Sequence, residues 1–221
     1  MLHSWRHVDN AADNGDSMIV APARDADRPM SALRDRNLPW IVDASNPYLA
    51  ELLQSCGASE ETVRGWAESA SSEFWIGRAR LVIGIDGEAV GGYIAMRGDE
   101  LASCRRSDMA RLLKTTPKPL LRQLSTFLKA TGALFAPVSP DDFYLSKVGV
   151  LGAYRQQGLG SRLVADWLAQ GVAMGSRCFR LDVSKDNAAA ISLYERHGFS
   201  TFYEGRAPDY QLGYVSMQLT R

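Results

Sequence analysis

From Phe143 onward the chain alternates short apolar runs of strand length with longer amphipathic ones. They read "FYLSKVGVL", a glycine turn, "LGSRLVADWLAQGVAMG", "CFRLDV", "AAAISLYERH", "GFSTFYEG" and "YVSMQL". Strand, helix, strand, helix, strand over one core predicts an α/β (α+β) arrangement. At 221 residues and 46% hydrophobic content, the chain can bury a sizeable core. It reads as one folded unit over 17–221, preceded by a flexible polar leader at 1–16. In that leader Asp9, Asn10, Asp13, Asn14, Gly15 and Asp16 leave too little apolar surface to offset the entropy of ordering.

Met18 to Ala21 reads as a first short strand, "ARDAD" supplies acidic residues favoured around a helix start, and helical signals run through Pro47 to Gln54. A further helix is predicted from Ser59, where a capping serine, Glu60 and Glu61 precede Val63 and Trp66 at helical spacing. In "ARLVIGIDGEAVGGYIAMR" two apolar runs flank Asp86-Gly87, a dipeptide that favours a hairpin. Residues 98–142 then form an inserted helical segment. Leu112, Leu113, Leu120, Leu121, Leu124 and Leu128 predict a helical pair broken at Pro117 and Pro119.

Twenty-five basic and 25 acidic side chains cancel, so no global field draws the chain to nucleic acid or to an anionic membrane. Cys56, Cys104 and Cys178 are odd in number and widely spaced, which fits neither a disulfide framework nor a C-x-x-C motif. They are expected as reduced thiols, and no metal site is expected. No run approaches the roughly 18 apolar residues of a membrane span. The start MLHSWRHVDNAADNGDS lacks the apolar centre of a secretory signal. The chain therefore reads as cytoplasmic.

Tyr154 to Leu163 reads "YRQQGLGSRL". A turn between strand and helix exposes unpaired backbone N–H groups at the positive end of the helix dipole, an anion site for which phosphate is the natural ligand. Gly158 and Gly160 let the backbone approach an oxygen closely, and Arg155 adds a charged donor. The same glycines also suit a plain tight connection with close helix packing. A P-loop does not fit, because Ser161 and not a lysine follows Gly160. A dinucleotide fingerprint does not fit either, since Leu163 stands where a third glycine or alanine belongs.

In "DVSKDNAAAISLYERHGF", Asn187, Ala190, Ile191 and Tyr194 fall at i, i+3, i+4 and i+7 and share one helix face. Taken singly, Asn187 reads as a helix cap, Ala190 as a close-packing residue and Tyr194 as a half-buried aromatic. Taken with the turn, they match a family. Arg155-Gln156-Gln157-Gly158-Leu159-Gly160 satisfies R/Q-x-x-G-x-G/A, and Asn187 to Phe199 follows N-x-x-A-x-x-L-Y-x-x-x-G-F. The stretch from Phe143 to Phe199 closely resembles the GNAT superfamily of acetyl-CoA-dependent N-acetyltransferases. It departs from the family where Leu151-Gly152-Ala153 replaces the usual proline, and where 98–142 exceeds the common connection.

The resemblance implies a mixed, mostly antiparallel central sheet flanked by helices. The strand ending at Val150 would splay from its neighbour beginning near Phe179 and hold acetyl-CoA there. Pyrophosphate would sit on the amides of Gln156, Gln157, Gly158, Leu159, Gly160 and Ser161, with Arg155 nearby. Val148, Gly149 and Val150 would pair with the pantetheine like an added strand, one of their amides polarising the thioester carbonyl. Asn187, on the face shared with Ala190 and Tyr194, would hydrogen-bond the pantetheine arm. The implied activity is acetyl transfer to a primary amine of a small molecule or peptide, by direct attack in a ternary complex. The alternative is a CoA-binding regulatory module without turnover. Tyr194, a phenol of pKa about 10, is the candidate acid for the departing thiolate. No Cys–His or Ser–His arrangement suggests an enzyme nucleophile, and Cys178 reads as packing.

A cationic amine must lose a proton before it attacks. Glu73, Asp141, Asp142 and Asp182 are candidate bases, each equally readable as a solvated or ion-paired carboxylate. Trp66, Phe74, Trp75 and Tyr144 are candidates for an acceptor pocket or for core. In 98–142, Arg105, Arg106, Arg111, Lys114, Lys118, Arg122 and Lys129 either attract an acidic group or form a solvated face. The last strand, "YVSMQL", is expected as an exposed edge able to pair across a homodimer.

Overall fold

The computed structural model describes residues 18–23, 30–84 and 87–221. The leader, most of "ARDAD" and Asp86 lie outside the described residues. In chain order the elements are β1 (Ile19–Pro22), α1 (Met30–Asp43), α2 (Tyr48–Cys56), α3 (Glu60–Glu68), β2 (Arg80–Ile83) and β3 (Ala89–Arg97). Then follow α4 (Gly98–Thr115), α5 (Leu121–Ala130), β4 (Phe143–Val150), α6 (Leu159–Ala173), β5 (Cys178–Ser184), α7 (Ala188–Arg196), β6 (Ser200–Ala207) and β7 (Leu212–Thr220).

Local chemistry sets these boundaries. Ser59 is extended at the N-cap of α3 but its side chain makes no capping hydrogen bond, so the expected cap is one of position only; Glu60 and Glu61 occupy the first turn, where the helix dipole favours them. Pro117 drives the preceding Thr116 out of helical conformation and so ends α4, while Pro119 sits in a short 3-10 turn before α5. The expected helical pair is therefore present, broken where the prolines stand. On β5 the alternation of Phe179, Leu181 and Val183, all buried, gives a strand with one wholly apolar face.

Seven strands form one sheet in the order β1-β2-β3-β4-β5-β7-β6. Every neighbouring pair is antiparallel except β4 with β5, so the sheet is mixed and mostly antiparallel as expected. The last strand differs from expectation. β7 pairs with β5 on one side and β6 on the other, so it is interior and offers no edge. A Pro-Asp-Tyr 3-10 turn with Gln211 in left-handed conformation brings β6 back beside it, and the sheet's edges are β1 and β6.

The sheet separates two apolar cores. One is built with α1 to α5 and holds Trp40, Leu49, Trp66, Phe74, Leu112, Phe127 and Tyr144. The other is built with α6 and α7 and holds Phe143, Leu163, Trp167, Phe179, Tyr194 and Phe199. Glycine permits a close approach at the centre of the sheet. A Cβ on Gly149 would stand 3.1 Å from the Trp40 carbonyl oxygen, and one on Gly92 would stand 3.2 Å from the Trp40 ring. Helix α1 is thereby seated directly over β3 and β4.

Candidate active site

β4 and β5 pair only over Phe143–Leu145 against Phe179–Leu181, after which they part. Residues 147–150 stay paired with β3, and 146–150 pair with no strand on the β5 side. The register with β3 jumps here, Lys147 facing Ile94 and Leu145 facing Ala95, so Ser146 is an extra, bulged residue. A bulge reverses which face later side chains take. It turns Lys147 and Gly149 toward the α1 face that Tyr144 occupies, and Val148 and Val150 toward the α6 face. The expected splay thus sits between Val150 and the end of β5 pairing, with Val148, Gly149 and Val150 on the free edge.

The glycine turn follows directly. Gln156 and Gly158 take left-handed φ of 64° and 76°, and Gly158 caps α6. The amides of Tyr154 and Arg155 close a short 3-10 turn on Leu151 and Gly152, and that of Arg162 bonds Gly158. Between them, the six amides of Gln156, Gln157, Gly158, Leu159, Gly160 and Ser161 find no acceptor among the described residues. Six consecutive donors at a helix N-terminus fit a diphosphate, by hydrogen bonding and by the helix dipole together. Arg155 lies beside them but is engaged: it donates to the Val150 carbonyl at 3.0 Å and to Asp43 Oδ2 at 2.6 Å, tying the turn to the end of α1. The Ser161 hydroxyl lies 2.7 Å from His197 Nε2 at the C-cap of α7, and burial pushes that imidazole's pKa down.

Asn187 caps α7, its Oδ1 accepting from the Ala190 amide at 3.1 Å. The cap reading therefore holds, and it leaves the side-chain NH2 as a donor with no described acceptor. Ala190 is partly buried against the α6 core. Tyr194 is buried and meets Phe199 edge-on at 6.1 Å, more enclosed than a half-buried aromatic. Its hydroxyl makes no hydrogen bond to a described residue, and burial pushes its pKa upward, so it is a protonated phenol at neutral pH.

On the opposite face of the fork lies a cavity of about 230 Å3, with Ser146, Lys147 and Asp182 at its base. Lys147 Nζ is 3.2 Å from Glu73 Oε1, and Arg105 Nε is 3.0 Å from Glu73 Oε2. Burial alone would raise the Glu73 pKa, but the two cations outweigh it and hold the carboxyl down at about 2. Arg105 also donates to the Tyr144 hydroxyl at 3.2 Å, which donates to Asp182 Oδ2 at 2.7 Å; Ser216 donates to Asp182 Oδ1. Burial raises the Asp182 pKa, and it raises that of Asp108 to about 6. Asp108 accepts from Ser72 Oγ and the Glu73 amide, and so fixes the loop that presents Glu73.

Of the candidate bases, Glu73 and Asp182 line this cavity. Asp141 is exposed and paired with Arg97, and Asp142 holds the Ser139 amide and Arg180. Trp66 and Phe74 are cavity wall, whereas Trp75 lies under the Arg78 guanidinium. Of the seven basic residues noted in the inserted segment, Arg105 alone lines the cavity; Arg111 pairs with Asp108. Sequence reasoning missed Lys147, Ser146 and Asp108. A signal for the first was present, since a lysine inside "FYLSKVGVL" requires a buried partner or a bulge. Among the described residues, no group of three or more His, Cys, Asp or Glu could hold a metal, and no helix is long and apolar enough to cross a membrane.

A forked β4/β5 pair, a glycine turn with free amides and a cavity behind the fork are the parts of an acyl-CoA transferase. The sequence matches the model of the acetyltransferase (GNAT) family over residues 41–199, and the chain belongs to that family. Its members use acetyl-CoA. The fold is similar to that of an N-acetyltransferase from Staphylococcus aureus Mu50, at 15% identity and TM-score 0.62, covering 91% of this chain and 100% of that one. It is also similar to Ard1 from Thermoplasma volcanium, at 13% identity and TM-score 0.55, covering 92% and 97%. A third likeness is to a chain in the NatC complex bound to Gag peptide and CoA, at 14% identity and TM-score 0.54, covering 93% and 99%. Comparison with curated protein sequences finds no significant match.

Proposed function

We propose that the chain moves an acetyl group from acetyl-CoA to a primary amine of a small molecule or peptide, by direct attack in a ternary complex. The observation that carries this reading is the continuity of three features. The acceptorless amides of 156–161 lead into the unpaired edge of 146–150, and that edge leads to the cavity beyond it. Acetyl-CoA supplies an acetyl thioester with a thiol leaving group.

The protein's own residues supply the rest. The amides from Gln156 to Ser161 hold the diphosphate. The free edge of Val148, Gly149 and Val150 offers strand-like pairing to an extended amide chain, and one of its N–H groups polarises a carbonyl placed against it. Asn187 contributes its free NH2 to the same chain, and the small side chain of Ala190 leaves room beside it. Tyr194, kept protonated by burial, gives its proton to the departing sulfur; of the two protons the ammonium sheds, one before attack and one as the amide forms, one passes to solvent and the other restores the phenol. Positioning two substrates on either side of one fork provides much of the acceleration, and no enzyme nucleophile is required. The three thiols, all free, suit a reducing cytoplasm.

The test is thiol release from acetyl-CoA in the presence of a panel of amines. Replacing Tyr194→Phe should lower kcat by about 100-fold while CoA affinity changes little. Tight CoA binding with no turnover on any amine class would instead make the chain a CoA-binding regulatory module.

A further inference from the structure

The cavity behind the fork carries information on the acceptor, and this inference rests on the transferase reading above. Two cations line it, and both are already engaged. Lys147 pairs with Glu73 and also donates to the Ser146 carbonyl and hydroxyl; Arg105 pairs with the other Glu73 oxygen and with Tyr144. A carboxylate entering from outside would have to compete with Glu73, which the buried Lys147 and the partly exposed Arg105 hold in its ionised form.

Asp182 is in the opposite position. It is the first β5 residue beyond the pairing with β4, so it stands where the strands part, and it faces the cavity. Its two oxygens accept only from neutral hydroxyls, those of Tyr144 and Ser216, and it makes no ion pair among the described residues. Arg105 and Arg180 act on it only from beyond ion-pair distance, and burial outweighs them, so the carboxylate is incompletely compensated. Leu49, Leu52, Trp66, Phe74, Met109 and Leu112 from α2, α3, α4 and the loop before β2 give the wall a large apolar share; its other polar groups are the hydroxyls of Ser45, Tyr48 and Tyr214 and the Asp108 carboxyl, which already pairs with Arg111. The inserted helix α4 is thus part of the acceptor wall.

We propose that Asp182 is the ammonium-binding group of the acceptor site, and that the acceptor is a compact primary amine with an aryl or branched alkyl body and no carboxylate. The ammonium would sit against Asp182 at the fork, and the apolar body would fill the space toward α2 and α4. A cavity of about 230 Å3 suits a group of phenyl or branched pentyl size.

The full chain, saturated with CoA, is titrated calorimetrically with 2-phenylethylamine, isopentylamine, phenylalanine, leucine and the neutral analogue 2-phenylethanol. The two amines should bind about 30-fold or more tighter than the alcohol and the two amino acids, the contribution of one buried charge pair. Asp182→Asn should remove that preference for the amine over the alcohol while CoA affinity holds. The alcohol comparison needs no variant, so it stands if Asp182→Asn fails to fold. Equal binding of amine and alcohol would overturn the proposal, as would tighter binding of the amino acids. Thiol release, measured in parallel with acetyl-CoA, separates the two readings. Asp182-dependent amine binding without turnover would remove the transferase reading and leave this one. Turnover confined to amino acids or peptide amines would do the reverse.

Discussion

At 156–161 the chain presents backbone donors whose partners must come from outside, whereas at Lys147 two cations, one buried and one partly exposed, close on a single carboxylate. The first region is contiguous in sequence. The second draws Glu73 from a loop before β2, Arg105 from α4, Lys147 from a bulge in β4 and Asp182 from β5. Such a difference follows from what each side must do. A diphosphate remains strongly charged wherever it binds, so a helix N-terminus with flexible glycine backbone is sufficient. An uncharged nucleophile must be delivered into a dry site, which demands side chains held by long-range packing.

The contrast is broken most severely at Glu73. Glu73→Gln leaves Lys147 and Arg105 without their carboxylate and should destabilise the fold by about 3–5 kcal/mol, read by denaturant unfolding. The pH dependence has a defined sign. Glu73 titrates at about 2 when folded, below its ordinary 4.5, so its contribution is complete above 4.5 and is lost as pH falls toward 2. Asp108 runs the other way. Its folded value of about 6 exceeds 3.8, so the stability associated with its protonated form is present below 3.8 and lost as pH rises through 6. Asp108→Asn should therefore flatten the thermal stability profile between pH 4 and 6, with an effect of about 1–3 kcal/mol.

Changes in the turn should cost less stability and more cosubstrate affinity. Gly158→Ala forces an L residue to φ 76° with open space around its Cβ, so the penalty is conformational, about 1–2 kcal/mol. CoA affinity, followed by calorimetry, should fall about 10-fold as the amide cradle shifts. The smallest effect is expected at Asp43→Ala. It removes an exposed pair with Arg155 and should change stability by about 1 kcal/mol or less. A loss as large as that at Glu73 would mean that the turn is as dependent on long-range pairing as the cavity is, and would erase the contrast.

Much of the donor half was legible because its signals are local. The hydrophobic period set β4, α6, β5 and α7, and Arg155 to Gly160 with Asn187 to Phe199 marked the turn and the helix by residue type and spacing alone. The β2/β3 hairpin and the Pro117 break were equally local. The interior place of β7 was not legible, because an apolar run of strand length looks the same at an edge and between two neighbours. Choice among four carboxylates was likewise beyond the residues themselves, since Glu73, Asp141, Asp142 and Asp182 differ only in what surrounds them.

The sequence by itself determined the order of strands and helices from Phe143 onward, the glycine turn and two short motifs, each set by neighbouring residues, and the fork was implied only through the family those motifs resemble. Tertiary structure alone decided the acceptor side: that Ser146 bulges and turns Lys147 inward, that Arg105 rather than its basic neighbours reaches the cavity, and that Asp182 faces the same cavity with no ion pair of its own among the described residues. Charge in a protein interior is governed by the distance and burial of partners far apart in the chain, and no local pattern encodes those.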